Sequence, residues 1–385
     1  MRSALARLRR RWRGDTIVRD VAGAGASKRA LLLYTTRAFR RGFERLQHQN
    51  ILQQRELAHA IGERGFAVDV VDFDARDLRV LPHDYDLVVD LHPKADPVYA
   101  YRVAAGAIRI AYITGSNPRF TNAAEQARLD DLERRRGVRL APRRQQPMFP
   151  TATLEAFDAM FLIGNAVTLA TYADVTLRHV FLLPNSVPGG IEATEPARRD
   201  ATRFLYLGSS GQVHKGLDLL LDAFAATPSL SLAVCGDFAR ERDFARAYGR
   251  ELSATPNIRA AGWMDLRGTA FRDLQASCGA MLLPSCAEGQ VGTATMALAF
   301  GMACGLSCEC GLDADPPVTL FPDCSSAAIR EACTAFAARP PAALRAASDA
   351  AGALIAHRYT HARYAAAVRE ALDGVLGARA TRSSA

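Results

Sequence analysis

The sequence predicts an α/β protein of two Rossmann-like domains, each a doubly wound parallel sheet, facing a central cleft. Three observations carry this. Short apolar runs alternate with helix-period segments at βα spacing through both halves of the chain. The alternation breaks once, at Pro184-Asn185-Ser186-Val187-Pro188 and the polar stretch that follows to Arg203. Loops holding glycine and polar residues follow the strand ends, where such sheets bind ligands. The expected divisions are a basic tail over 1–28, a first domain over 29–187, a linker over 188–203, a second domain over 204–358, and a terminal helix and tail over 359–385.

The tail carries Arg2, Arg7, Arg9, Arg10, Arg11 and Arg13, with Leu5, Leu8 and Trp12 at helical spacing. Two readings stay open: a basic amphipathic helix on anionic lipid, or a frayed, solvated end. Arg29 to Thr35 reads as a buried strand from its unbroken apolar run. Asn50 to Arg64 reads as a helix with Ile51, Leu57, Ala58 and Ile61 inward, ended by Gly65. Strands follow at Ala67–Phe73, Tyr85–Leu91, Ala107–Thr114, Ala159–Ile163 and Val180–Leu183.

In the second half, Phe204 to Gly208 is a strand and Ser209 to Gly216 a loop of glycine and serine. A helix follows from Leu217 to Phe224. Strands are expected at Leu230–Cys235, Ile258–Trp263, Ala280–Leu283 and Leu306–Cys310. Helices fill Ser325–Ala338, Pro341–His357 and His361–Gly377, the last with Tyr364, Val368, Leu372 and Val375 on one face.

Composition sets the class. A chain of 385 residues, 49% hydrophobic and 23% charged, is that of an ordinary globular protein with room for two cores. The run Gly289 to Cys308 is broken by glycines and polar residues, which makes it a poor candidate for a membrane span. The first residues carry arginines with no apolar core behind them, so no secretory leader is expected. The eight cysteines all lie from Cys235 onward and read as reduced thiols, implying a cytoplasmic protein. Cys304, Cys308 and Cys310 are read as buried filler rather than metal ligands, because the spacing fits no usual zinc pattern.

Of the net charge of +8, residues 1–190 hold the excess: 29 Lys and Arg against 20 Asp and Glu. An anionic partner on that side is implied, and peripheral contact with the inner membrane surface fits it. No zinc finger, helix-turn-helix or aromatic-basic strand supports nucleic acid.

The stretch Leu282 to Gly301 concentrates the chemistry. A strand runs into Pro284-Ser285-Cys286-Ala287-Glu288-Gly289-Gln290-Val291-Gly292-Thr293, and a helix of small residues then begins. Free amides and the positive end of a helix dipole there favour an anion. Glu288 stands at the mouth of the loop, able to accept from sugar hydroxyls.

This stretch resembles the donor-sugar motif of the retaining GT-B glycosyltransferases of the family-4 type. Pro284, Ser285, Glu288, Gly289, Ala297, Ala299 and Gly301 match it in register. The resemblance spans about residues 29 to 377. It implies a GT-B fold and a nucleotide-diphosphate sugar as co-substrate. It also implies a hexosyl transfer with retention, and no metal, since Lys and a helix N-terminus hold the phosphates. Lys215 matches the lysine of the family's Gly-Arg-x-x-x-x-Lys-Gly loop, within Gly208-Ser209-Ser210-Gly211-Gln212-Val213-His214-Lys215-Gly216. A leaving diphosphate needs such fixed positive charge.

The implied donor set is therefore Gly208, Ser209, Ser210, His214, Lys215, Glu288 and the loop Gly289, Gln290, Val291, Gly292 and Thr293. Glu288, Lys215 and His92 are the expected catalytic residues. Thr114, Arg119, Arg135 and Arg136 are the expected acceptor contacts, taken from an arginine cluster that also holds Arg134, Arg139, Arg143 and Arg144. A solvated helix balanced by Asp130, Asp131 and Glu133 is the other reading of that cluster.

Three departures stand out. Ser209 and Ser210 occupy the region of the family's loop arginine. Met296 replaces a second glutamate that would accept from a ribose diol. Ile113 stands where a histidine is usual. The expected activity is transfer to a glycan, lipid-linked or other anionic acceptor in glycan biosynthesis. The alternative is a silent GT-B protein that binds sugar or nucleotide.

Overall fold

The computed structural model describes residues 17–40, 49–73, 75, 81, 84–91 and 103–383, with side chains to 378. His92 and the tail arginines lie outside the described residues. One sheet has seven strands: β1 Ile17–Ala22, β2 Lys28–Tyr34, β3 Phe66–Asp72, β4 Tyr85–Asp90, β5 Val103–Ile113, β6 Ala159–Ile163 and β7 Val180–Leu183. Their order is β1-β3-β2-β4-β5-β6-β7, parallel except for β1. The central runs are apolar because helices cover both faces: Ala30 to Leu33 are at most 1% exposed.

The second sheet has six parallel strands: β8 Asp200–Gly208, β9 Ser231–Gly236, β10 Ile258–Gly262, β11 Cys278–Leu283, β12 Ala303–Leu306 and β13 Val318–Leu320. The order β10-β9-β8-β11-β12-β13 reverses direction between β8 and β11. The loops after these two strands, 209–216 and 284–291, therefore flank the crevice where such sheets bind ligands.

Three elements differ from the sequence reading. Ile17–Ala22, assigned to the tail, adds an antiparallel edge strand on β3. Leu306–Cys310 is not a strand: β12 ends at Leu306 and Cys308–Cys310 forms a 3-10 turn closed by Gly311 at φ 71°. The edge strand β13 was not expected at all.

Two helices cross between lobes. Helix α1, Gln49–Gly62, belongs to the first lobe. Helix α2, Pro118–Arg136, starts from the first sheet, with Asn117 capping the Arg119 amide and Gly137 ending it in the left-handed region. Its Leu129 and Leu132, with Leu140 beyond, join the core of the second lobe. Helices α3, Leu217–Ala225, and α4, Gly292–Ala299, follow the two crevice loops. The terminal helix α5, His361–Ser383, returns to the first lobe, where Tyr364, Val368, Leu372 and Val375 enter its core. Tyr364 Oη lies 2.9 Å from Tyr112 Oη.

The linker is pinned by Arg199. It is buried and donates to the carbonyls of Gln275, Cys278 and Phe300. Burial without a carboxylate partner lowers its pKa to about 10.

Candidate active site

Lys215 and Glu288, 73 residues apart in sequence, meet at the β8/β11 crevice. Lys215 Nζ donates to Glu288 Oε1 at 2.6 Å. The side chains are 5% and 12% exposed. Ser285 Oγ donates to the same oxygen at 2.9 Å. Glu288 Oε2 has no hydrogen-bond partner among the described residues. Burial alone would push the Glu288 carboxyl up. The Lys215 ammonium, with smaller help from Arg144, instead holds it down at about 2. Glu288 is thus ionised at any physiological pH.

His214 precedes Lys215 and is buried. Its Nε2 lies 2.7 Å from the Ala287 carbonyl, which only accepts, so Nε2 carries the proton. Burial pushes its imidazole below the ordinary value, so it stays neutral. It ties the 209–216 loop to the 284–291 loop.

The crevice opens into a cleft of about 220 Å³ between the lobes, whose walls include Thr114, Ser116, Arg144, His214, Glu288 and Gly289. The first lobe grips the Glu288 loop directly. Ser116 Oγ donates to the Glu288 carbonyl at 2.7 Å. Gly289 packs on the carbonyls of Thr114 and Ile163, and a Cβ there would lie 2.5 Å from each. Gln290 is committed to the 184–188 segment between the lobes: its Oε1 accepts from the Asn185 amide and its carbonyl from Asn185 Nδ2, both at 2.6 Å.

The rest of the expected donor set divides. Gly208 ends β8, and Ser209 and Ser210 lie exposed beyond it. The Val291 amide donates to the Cys310 carbonyl at 3.1 Å, which takes it out of any phosphate cradle. Gly292 and Thr293 form the first turn of α4. Thr293 Oγ1 is buried with no partner. Met296 is half-buried and packs on the second-lobe core. Ile113 is buried in a first-lobe apolar cluster and reaches the cleft wall.

The acceptor set divides too. Thr114 is exposed at the cleft and Arg119 pairs with Asp174 at 3.0 Å on the surface. Arg135 and Arg136 are elsewhere, locked into the second lobe. Arg135 bridges Asp131 and Asp218 and pairs with Asp222. Arg136 pairs with Asp222 and Glu251, both at 2.6 Å, and lies 4.0 Å over the Tyr248 ring. A guanidinium so engaged is a structural clasp between α2 and α3, not an open contact for substrate.

One feature gave no sequence signal. Glu241, after β9, is buried and accepts from the amides of Gly211 and Gln212 at 2.5 and 3.2 Å. A carboxylate thus already occupies part of the loop that reads as an anion site. The cysteines are free thiols, with Cys304 and Cys310 buried. No three His, Cys, Asp or Glu gather as a metal site among the described residues.

No protein-family model matches the sequence, and no curated protein is similar to it. Solved structures are similar in fold. Sucrose-phosphate synthase from Thermosynechococcus elongatus superposes with a TM-score of 0.66 at 15% identity, over 91% of this chain and 100% of that one. Anabaena HepE in complex with UDP-glucose gives 0.59 at 12% identity, over 90% and 99%. WaaG, a glycosyltransferase involved in lipopolysaccharide biosynthesis, gives 0.55 at 14%, over 90% and 99%. The fold is GT-B: two Rossmann-like lobes facing a cleft.

Proposed function

We propose that this chain is a glycosyltransferase that moves a hexose from a nucleotide-diphosphate sugar to a glycan, lipid-linked or other anionic acceptor, with retention. The observation that carries the reading is the Lys215–Glu288 pair at the strand-order reversal, with Glu288 on the cleft wall. Glu288 is ionised and keeps Oε2 for a sugar hydroxyl. Lys215 supplies positive charge beside it. The first turn of α4 adds the helix N-terminus and the unpartnered Thr293 hydroxyl. As the sugar leaves the diphosphate, charge builds on the phosphate oxygens, and these fixed donors meet it.

The nucleotide complexes of HepE support a donor of this class, since that protein shares the fold and was solved with UDP-glucose. Thr114 and Arg119 lie on the acceptor side. The reading calls on no metal, no nucleic acid, and a cytoplasmic site with peripheral membrane contact. Among the described residues no helix is long and apolar enough to cross a membrane.

A second reading, a silent sugar or nucleotide binder, is favoured by Met296 and by the Lys215–Glu288 pair closing on itself. Slow hydrolysis of a nucleotide-sugar panel separates the two. The enzyme releases nucleoside diphosphate and loses this with Glu288→Ala. A protein that binds the nucleotides with no turnover, in the presence of glycan acceptors as well, is the silent form.

A further inference from the structure

Among the described residues, the crevice has no free cation on its own lobe. Lys215 is neutralised by Glu288 at 2.6 Å, and the 209–216 loop holds no other Lys or Arg. Ser210, five residues before Lys215, is exposed and brings no charge. A diphosphate leaving this site would meet one cation already engaged by a carboxylate.

Arg144 fills that gap from the segment after α2, which leaves the first lobe and docks on the second. Its main chain is fixed, because buried Glu125 accepts from the amides of both Arg143 and Arg144 at 2.9 and 2.8 Å. Its stem lies across Gly211: a Cβ at Gly211 would stand 2.4 Å from Arg144 Cγ, and the φ of +86° there suits glycine. It lines the cleft with His214 and Glu288. Its guanidinium makes no hydrogen bond or ion pair with any described residue. Arg143 beside it is tied to Asp243 at 2.5 Å. A guanidinium held at its root and unpaired at its tip, over the loop that needs charge, suits a bidentate phosphate contact.

Resting on the donor-site reading above, we propose that Arg144 binds the donor's diphosphate from above the 209–216 loop, replacing the cation that Ser210 does not supply. The clasp of Arg135 and Arg136 sets where Arg144 stands, since all three lie on the segment that α2 docks onto the second lobe.

The test is calorimetric titration of the full chain with nucleoside diphosphates and the matching nucleosides. Arg144→Gln keeps the stem on Gly211 and removes the charge. It should weaken diphosphate binding by about ten- to a hundredfold and leave the nucleoside unchanged. Arg143→Ala should change neither. Adding Ser210→Arg to Arg144→Gln should restore much of the loss. Wild-type affinity for the diphosphate in Arg144→Gln overturns the proposal while the donor site stands. An equal loss for nucleoside and diphosphate also overturns it. A wild-type chain that binds no diphosphate sinks the donor-site reading, and this proposal with it.

Discussion

Lys215 Nζ and Glu288 Oε1 are 2.6 Å apart in a crevice that leaves both side chains almost dry. Removing one partner from such a pair strands a charge in low dielectric. Glu288→Gln should therefore destabilise the fold by about 3 kcal/mol near neutral pH. The sign with pH follows from the carboxyl, held at about 2 in the fold against 4.5 as its ordinary value. Its contribution is fully present above pH 4.5 and is lost as pH falls toward 2. Urea midpoints of the wild type and Glu288→Gln should run parallel above about pH 5 and converge in acid. A gap that stays constant down to pH 3 contradicts the pairing.

Arg136 joins the lobes through Asp222, Glu251 and the Tyr248 ring. Arg136→Ala should lower stability by about 2–4 kcal/mol, seen as a drop in Tm by calorimetry. An acceptor residue would behave otherwise: KM for acceptor would rise with Tm unchanged.

Gly289 touches the Thr114 and Ile163 carbonyls across the cleft. Gly289→Ala places a methyl 2.5 Å from each, so the Glu288 loop or the lobe must shift. Misplacement on this scale should cost about a hundredfold in kcat/KM. Scattering should show the lobes further apart. A variant with wild-type activity contradicts the close packing as a requirement of the site.

The legible parts of the sequence were those where burial is two-sided and local. Ala159–Ile163 and Val180–Leu183 are short apolar runs with clear boundaries, and the structure places β6 and β7 there. The loop around Glu288 was legible because glycine and proline mark a strand-to-helix turn. The β1 edge was not, since Ile17–Ala22 mixes Arg19 and Asp20 with its apolar residues and buries none fully. Nor was the fate of Arg135 and Arg136. A run of arginines looks solvated until a fold brings up carboxylates some 80 to 115 positions away, as it does with Asp218, Asp222 and Glu251. The Glu241 cap on Gly211 and Gln212 is hidden for the same reason.

Direct titration of the chain with nucleoside diphosphates, wild type beside Lys215→Ala, tests the donor crevice most directly. Saturable one-to-one binding is expected for at least one base, weakened about tenfold or more in Lys215→Ala. An affinity that Lys215→Ala leaves untouched, or no binding of any diphosphate at millimolar concentration, contradicts the crevice as the donor site.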